Sequence, residues 1–555
     1  MIMTIPNYRE VSAIAQKRRN TKIAAYYNPP EVDEASLPNN ITEYALNSGY
    51  YTPEERIIIE AEPDTILQNI AKREWTSLMV TKAFCKASAY AQKLTNCITE
   101  VFYDEAHERA QYLDDYIVKN GRTIGPLHGL PISLKDCFIV PPYPASIGMS
   151  NWANYPTDKE QVIVTMLREL GAILYVKTNT PTAMKMAETI NNVWGETRNA
   201  LHKRLTPGGS SGGEGTLISF KGSPLGVGTD IGGSIRIPAA QGFQYGLKPS
   251  VGRFPGYGGR TGVTGQEFLV AVSGPMSRSL KSLQIYSEAL LSETSAPWTR
   301  DYKCVPIPWR NNVIQPQGRK LRLGLIGNND GSVHCHPPVE RALNFTAEKL
   351  KAAGHTIIPW TPKNHDVINK NLVEAFSKLG GAAIMNDIKP YGEPIFPCMK
   401  GYEVAAEAED IGITEIREMI TKRDDLQQEY LEYWMTGAPD GQPLDGIIMA
   451  TAPHAAPRLQ GTQGDLYIGY TGLWNYVVVD FSVCTFPVLF ADKVQDKARD
   501  MKSFRPLSEL DARIQADYDA EFYHGAPVSL QCVGKRLEEE KVLEMTGLIE
   551  QALKA

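Results

Sequence analysis

Between Gly208 and Ser234 the chain reads GGSSGGEG and, after six further residues, GSPLGVGTDIGGS, which places ten of its 46 glycines within 27 residues. Glycine loses more backbone freedom on folding than any other residue, so this density marks places where the main chain takes unusual φ/ψ or runs close against something else. Ser210, Ser211 and Ser234 stand directly beside these glycines. Serines on such a backbone, next to peptide N–H groups that can turn towards one point, suit acyl transfer. The nucleophile must be exposed, and the developing oxyanion needs donors around it. A flexible Gly/Ser linker is the competing reading. Leu225, Val227 and Ile231 disfavour it by interrupting the glycines with apolar side chains, and Asp230 and Arg236 add defined charges.

Upstream, residues 126–136 read PLHGLPISLKD. Leu130, Ile132 and Leu134 alternate with Pro131 and Ser133, which predicts a short half-buried strand delivering Lys135 at its end. Alone, a lysine in that position reads as a solvated surface residue. Taken together, Lys135, Ser210 and Ser234, separated by 75 and then 24 residues, resemble the amidase signature family in spacing and flanking sequence. The resemblance rests on GLPISLKD around the lysine, GGSSGGEG around the first serine and GTDIGGSIR around the second. It continues through GLKP at residues 246–249 and GPM at 274–276. Within the family the chain is most similar to fungal acetamidase-type general amidases, on LDGIIMATAPH at 444–454, YTGLWN at 470–475 and CTFP at 484–487. Its serine and lysine motifs are also similar to those of fatty-acid amide hydrolases.

The resemblance implies an α/β fold, an α/β/α sandwich with a central mixed β-sheet flanked by helices. Length alone would suggest several domains, since one hydrophobic core rarely exceeds about 250–300 residues. No linker divides the chain, however, and the resemblance implies one domain over residues 1–555, with a helical lead-in over about 1–110 and a catalytic core over about 111–555. It assigns the chemistry to Lys135, Ser210 and Ser234. Ser234 is then the nucleophile, Ser210 the proton relay behind a cis Gly209–Ser210 peptide, and Lys135 the base, which must be neutral to act. The N–H groups of Ile231, Gly232, Gly233 and Ser234 are expected to form the oxyanion hole. Ser211, Thr229, Asp230 and Arg236 support the site, the hydroxyls around Lys135 and the charged pair by fixing the turn that carries the nucleophile. Substrate contacts are expected from Met184, Gly209 and Ser210, with His454, which follows a strand, as a further pocket residue. The partner is a small-molecule amide, and neither metal nor organic cofactor is required.

Composition narrows the alternatives. With 43% hydrophobic and 22% charged residues the chain is an ordinary globule, and its net charge of −6 offers no basic field for nucleic acid. No run of about 18 apolar residues predicts a transmembrane segment. The N-terminus lacks the apolar core of a signal peptide, and eight cysteines without CxxC pairs fit a reducing compartment, so the cytoplasm is the expected location. A homodimer is the base-rate expectation for assembly.

Strands are predicted at residues 172–176, 321–326 and 446–450, and helices at 162–170, 339–353 and 538–553, an alternation that supports α/β layers. Residues 209–213 satisfy G-x-S-x-G, but the hydrophobic strand a nucleophile elbow needs is missing before them. A P-loop lacks its Gly-Lys-Ser/Thr. His334-Cys335-His336 has no second ligand pair for a metal. Three functional rivals remain: a fatty-acid amide hydrolase, a glutamine-dependent tRNA amidotransferase A-type subunit and a catalytically inactive binding homologue. The amidotransferase reading is weakened by the acidic pI, and the inactive reading by the intact Lys135, Ser210 and Ser234.

Overall fold

In the computed structural model, which describes residues 5–361, 363–408, 411–459, 467–475 and 479–555, strands and helices alternate along the chain. The strands begin with β1 (Ile98–Val101), β2 (Pro131–Lys135), β3 (Ile173–Thr178), β4 (Ile190–Asn191), β5 (Gly195–Glu196), β6 (Leu225–Asp230) and β7 (Tyr245–Lys248). They continue with β8 (Val272–Ser277), β9 (Arg322–Leu325), β10 (Thr356–Pro359), β11 (Gly446–Ala450), β12 (Val483–Phe490) and β13 (Pro527–Val533). Eleven of them form one sheet in the order β1-β3-β2-β6-β8-β7-β12-β13-β11-β9-β10, and β4 pairs with β5 in a separate ribbon. Parallel pairing joins β2 to β3 and β6, and β9 to β10 and β11, while the remaining neighbours are antiparallel. With helices packed against it, this is the mixed α/β sandwich that the sequence predicts.

The stretch read as a helical lead-in holds five α-helices between Tyr8 and Thr95, and it also supplies β1, which pairs antiparallel with β3. The strand β2 is fully buried rather than half-buried. It is interior to the sheet, between β3 and β6, and its one hydroxyl is satisfied internally: Ser133 Oγ donates to Glu214 Oε2 at 2.5 Å. The helix Val162–Glu169 ends just before Gly171, which takes φ +96 where a Cβ would stand 2.7 Å from the His128 Cα. That turn sends the chain directly into β3, so that β2 and β3 run parallel with Lys135 opposite Thr178. On the other side the register pairs Leu134 with Val227. Lys135 therefore ends β2 level with Gly228, in the C-terminal half of β6, towards the side of an open α/β sheet where ligands bind.

Candidate active site

At the end of β2 the Lys135 ammonium is fully buried. It donates to Ser210 Oγ at 2.7 Å, to Thr229 Oγ1 at 2.8 Å and to the Thr229 carbonyl at 3.4 Å. Burial is the main influence on this group and outweighs the opposing pull of Cys137, Asp230 and Glu214, bringing its pKa down from 10.5 to about 8. Ser210 reaches the lysine from a different segment. Its peptide bond to Gly209 is cis, as expected, and a Cβ on Gly209 would sit 2.5 Å from the Met186 carbonyl oxygen, so only glycine fits this close crossing. The helix Gly212–Ser219 begins immediately afterwards, and no strand leads into Ser210. That arrangement is unlike a nucleophile elbow. Ser211 makes no hydrogen bond to Lys135 among the described residues. Its hydroxyl is bonded at 3.3 Å to the Thr229 backbone, and its N–H donates to the Ser234 carbonyl at 3.1 Å, tying the two serine segments together.

The turn after β6 is braced by one carboxylate. Asp230 Oδ1 accepts from Gly233 N at 2.8 Å, and Oδ2 accepts from Ile235 N at 3.1 Å. The Arg236 guanidinium grips the same carboxylate with Nε and Nη2, each at 3.0 Å, and Asn475 Nδ2 adds a bond of 2.8 Å to Oδ1. Arg236 is held in turn by the Thr471 carbonyl at 2.8 Å and by Asn475 Oδ1 at 2.6 Å. Burial acts to raise the Asp230 pKa, but Arg236 and Asn475 hold it well below the usual carboxylate range. Gly233 adopts φ +135, where a Cβ would meet Thr471 Oγ1 at 2.3 Å, so the turn requires glycine there. One expectation changes as a result. The Gly233 N–H is committed to Asp230, whereas the N–H groups of Ile231, Gly232 and Ser234 make no hydrogen bond among the described residues. Of the four donors expected to act together, three are left without a partner among the described residues.

Ser234 is nearly buried and stands between two cavities. The narrow one, about 30 Å³, is walled by Met184, Gly209, Gly232, Phe376 and Ile468 among others. The wide one, about 350 Å³, is bordered by both Ser210 and Ser234 and by Thr229, Met184 and Arg260. Of the residues expected to contact substrate, Met184 and Gly209 line the narrow pocket and Ser210 borders the wide one, whereas His454 lines neither. It lines a separate cavity of about 180 Å³ with His336, Arg458 and Asp517, behind Ala187 and Ile237, which that cavity shares with the narrow pocket. Burial keeps its imidazole neutral, with a pKa near 4. His334 Nδ1 lies 2.6 Å from Asp511 Oδ2 and His336 Nε2 lies 2.8 Å from the Ile514 carbonyl. Among the described residues no cluster of His, Cys, Asp and Glu has the makings of a metal site.

Two features escaped sequence reasoning. Glu214, inside the first serine motif, is fully buried between Ser133 Oγ and Thr178 Oγ1, at 2.5 and 2.8 Å. Burial raises its pKa to about 7 against the pull of those bonds and of Lys135, so it stands as a titratable neighbour of the lysine. The bracing of Arg236 by residues 471–475 was also unforeseen, because more than 230 positions separate the partners.

A family model described as Amidase matches residues 79–543. An acetamidase of Emericella nidulans is 40% identical over 522 residues, covering 93% of this chain and 93% of that protein. An acetamidase of Aspergillus oryzae is 35% identical over 537 residues, 95% of this chain and 96% of the other. Among solved structures, a fatty acid amide hydrolase aligns over 99% of this chain and 95% of its own, at a TM-score of 0.90 and 31% identity. A bacterial aryl acylamidase shares the fold at a TM-score of 0.69 and 19% identity, over 89% of this chain and 96% of its own.

Proposed function

Because the chain belongs to the amidase signature family and is an enzyme that hydrolyses amides, we propose that Ser234 is its nucleophile, Ser210 its proton relay and Lys135 its base, acting on small aliphatic or aryl amides. The observation that carries this reading is the buried Lys135 ammonium, 2.7 Å from the Oγ of Ser210, a residue that borders the wide cavity together with Ser234. A pKa lowered from 10.5 to about 8 corresponds to about 3 kcal/mol in favour of the neutral amine.

Neutral Lys135 takes a proton from Ser210 as Ser210 takes one from Ser234, and Ser234 Oγ attacks the amide carbonyl carbon. Negative charge collects on the carbonyl oxygen, where the N–H groups of Ile231, Gly232 and Ser234 meet it. The C–N bond breaks as the proton returns through Ser210 to the leaving amine. Water then attacks the acyl ester by the same relay, releasing the carboxylate and restoring the serine. The sequence of steps consumes only water. The Ser210 and Ser234 hydroxyls share no hydrogen bond among the described residues, and the relay needs them to meet within hydrogen-bond reach around the substrate.

The narrow pocket beside Ser234, about 30 Å³ against about 350 Å³ for the wide cavity, supports a short acyl group on that side of the nucleophile. A lipid amidase is the second reading, favoured by the likeness to a fatty acid amide hydrolase structure. Kinetics on acetamide, benzamide, an aryl-propionamide and a long-chain amide, each with the Ser234→Ala variant as control, test both. Turnover of the short or aryl amides that vanishes in the variant supports the proposal. Activity surviving Ser234→Ala overturns it.

A further inference from the structure

Lys185 follows Met184 into the site and borders both the narrow and the wide cavity. The side chain is half-buried, its ammonium lies 4.9 Å from the centre of the Phe376 ring, and it makes no hydrogen bond or ion pair among the described residues. A second cation on the wide cavity is in a similar condition. The Arg260 guanidinium lies 3.9 Å from the Trp152 ring centre, its Nε is buried without a hydrogen-bond partner, and it forms no ion pair among the described residues.

Asp136 and Asp387 attract Arg260 without forming an ion pair with it among the described residues. Asp387 is hydrogen-bonded to Asn151 and Trp152, and Asp136 and the carboxylates bordering the wide cavity have other partners. Asp136 accepts from Thr99 Oγ1, Ser146 Oγ and the Ile147 N–H at 2.6 to 2.7 Å. Glu267 pairs with Lys303 at 2.6 Å, and Asp301 accepts from the N–H groups of Gly256, Tyr257 and Lys303. An ammonium partly removed from water with no counter-ion is unfavourable, and an anion brought in by a ligand relieves the cost. A wall needed only to hold an apolar acyl group would be better made by leucine or methionine. Burial and then the neighbouring Lys135 lower the Lys185 pKa to about 8. The side chain is still about nine-tenths protonated at pH 7.

The geometry points to a substrate that carries a carboxylate as well as its amide, with Lys185 holding that carboxylate beside Ser234 and Arg260 favouring its entry through the wide cavity. The inference rests on the reading of Ser234 as nucleophile. Because Lys185 borders both cavities, the carboxylate can belong to the acyl group, as in the half-amide of a short dicarboxylic acid, or to the amine, as in an N-acyl amino acid.

Wild-type enzyme is assayed on succinamate against butyramide, and on N-acetylglycine against N-ethylacetamide, at constant ionic strength. A preference in kcat/KM of roughly 10-fold or more for one anionic substrate over its neutral counterpart is expected, the scale of a hydrogen bond to a charged group, and the pair that shows it identifies the side bearing the carboxylate. Lys185→Met should collapse that ratio towards one, Lys185→Arg should keep most of it, and Arg260→Gln should reduce it. Equal or poorer turnover of both anionic substrates by wild-type enzyme overturns the inference, as does an unchanged ratio in a folded Lys185→Met. Neutral amides hydrolysed by wild type but not by Ser234→Ala, with no anionic preference, would sink this inference alone. Activity persisting in Ser234→Ala would remove the reading beneath it.

Discussion

If Lys135 works as a neutral amine, the enzyme's pH profile follows the pKa that burial imposes on it. That pKa is about 8, against 10.5 for an ordinary lysine. At pH 6 about 1% of the side chain is then neutral and at pH 9 about 90%, so kcat/KM on a small amide should rise roughly 90-fold between them and level off above pH 9. An unperturbed lysine would instead give a roughly 1,000-fold rise over the same interval with no plateau before pH 10. The environment of the amine supplies a second perturbation. Glu214 and Asp230 both raise the lysine pKa against the dominant effect of burial, so Glu214→Gln should move the inflection towards lower pH. The assay is initial-rate hydrolysis at subsaturating amide from pH 6 to 10, in overlapping buffers of fixed ionic strength. The same burial acts on stability with a defined sign. Because folding lowers the lysine pKa, it costs the folded state about 3 kcal/mol below pH 8, and the cost fades as pH rises towards 10.5. A profile flat from pH 6 to 9, or one climbing log-linearly through pH 10, would refute the neutral-lysine argument.

Three further outcomes follow from the same geometry. Asp230→Asn removes the charge that pairs with buried Arg236, and it should destabilise the protein by about 3–5 kcal/mol in denaturant unfolding while lowering kcat; a cost under 1 kcal/mol would mean that the pair does not brace the turn. Gly233→Ala places a methyl 2.3 Å from Thr471 Oγ1 on a backbone at φ +135, and it should cost at least about 1–3 kcal/mol and most of the activity, with near-normal kinetics counting against the observed turn. For neutral unbranched amides kcat/KM should fall once the acyl chain passes about six to eight carbons, and a steady rise to the longest chain would favour the lipid-amide reading.

The chemistry-bearing motifs were legible because each is local. Lys135 ends a strand announced by the apolar alternation of residues 130–134, and the glycines around Ser210 and Ser234 mark close backbone approaches in the structure. What the alternation could not tell was that Ser133 is buried too, since its partners Glu214 and Ser223 lie more than 80 residues away. Ile98–Val101 was hidden as a strand because four residues between two long helices carry no period of their own. The turn after β6 was readable as a braced device from Asp230 and Arg236. That Asp230 would claim the Gly233 N–H was not, because it depends on which way one peptide turns. His454 follows a strand as predicted, yet Ala187 and Ile237 stand at the boundary between its cavity and the narrow pocket. Residue type and spacing do not encode such a partition.

The central claim is that one hydroxyl, that of Ser234, becomes acylated. Wild-type protein treated with a serine-directed fluorophosphonate and digested should give, by mass spectrometry, one adduct on the peptide containing Ser234, and Ser234→Ala should take up none. An adduct on Ser210 or Ser211, or undiminished labelling of Ser234→Ala, would contradict the account.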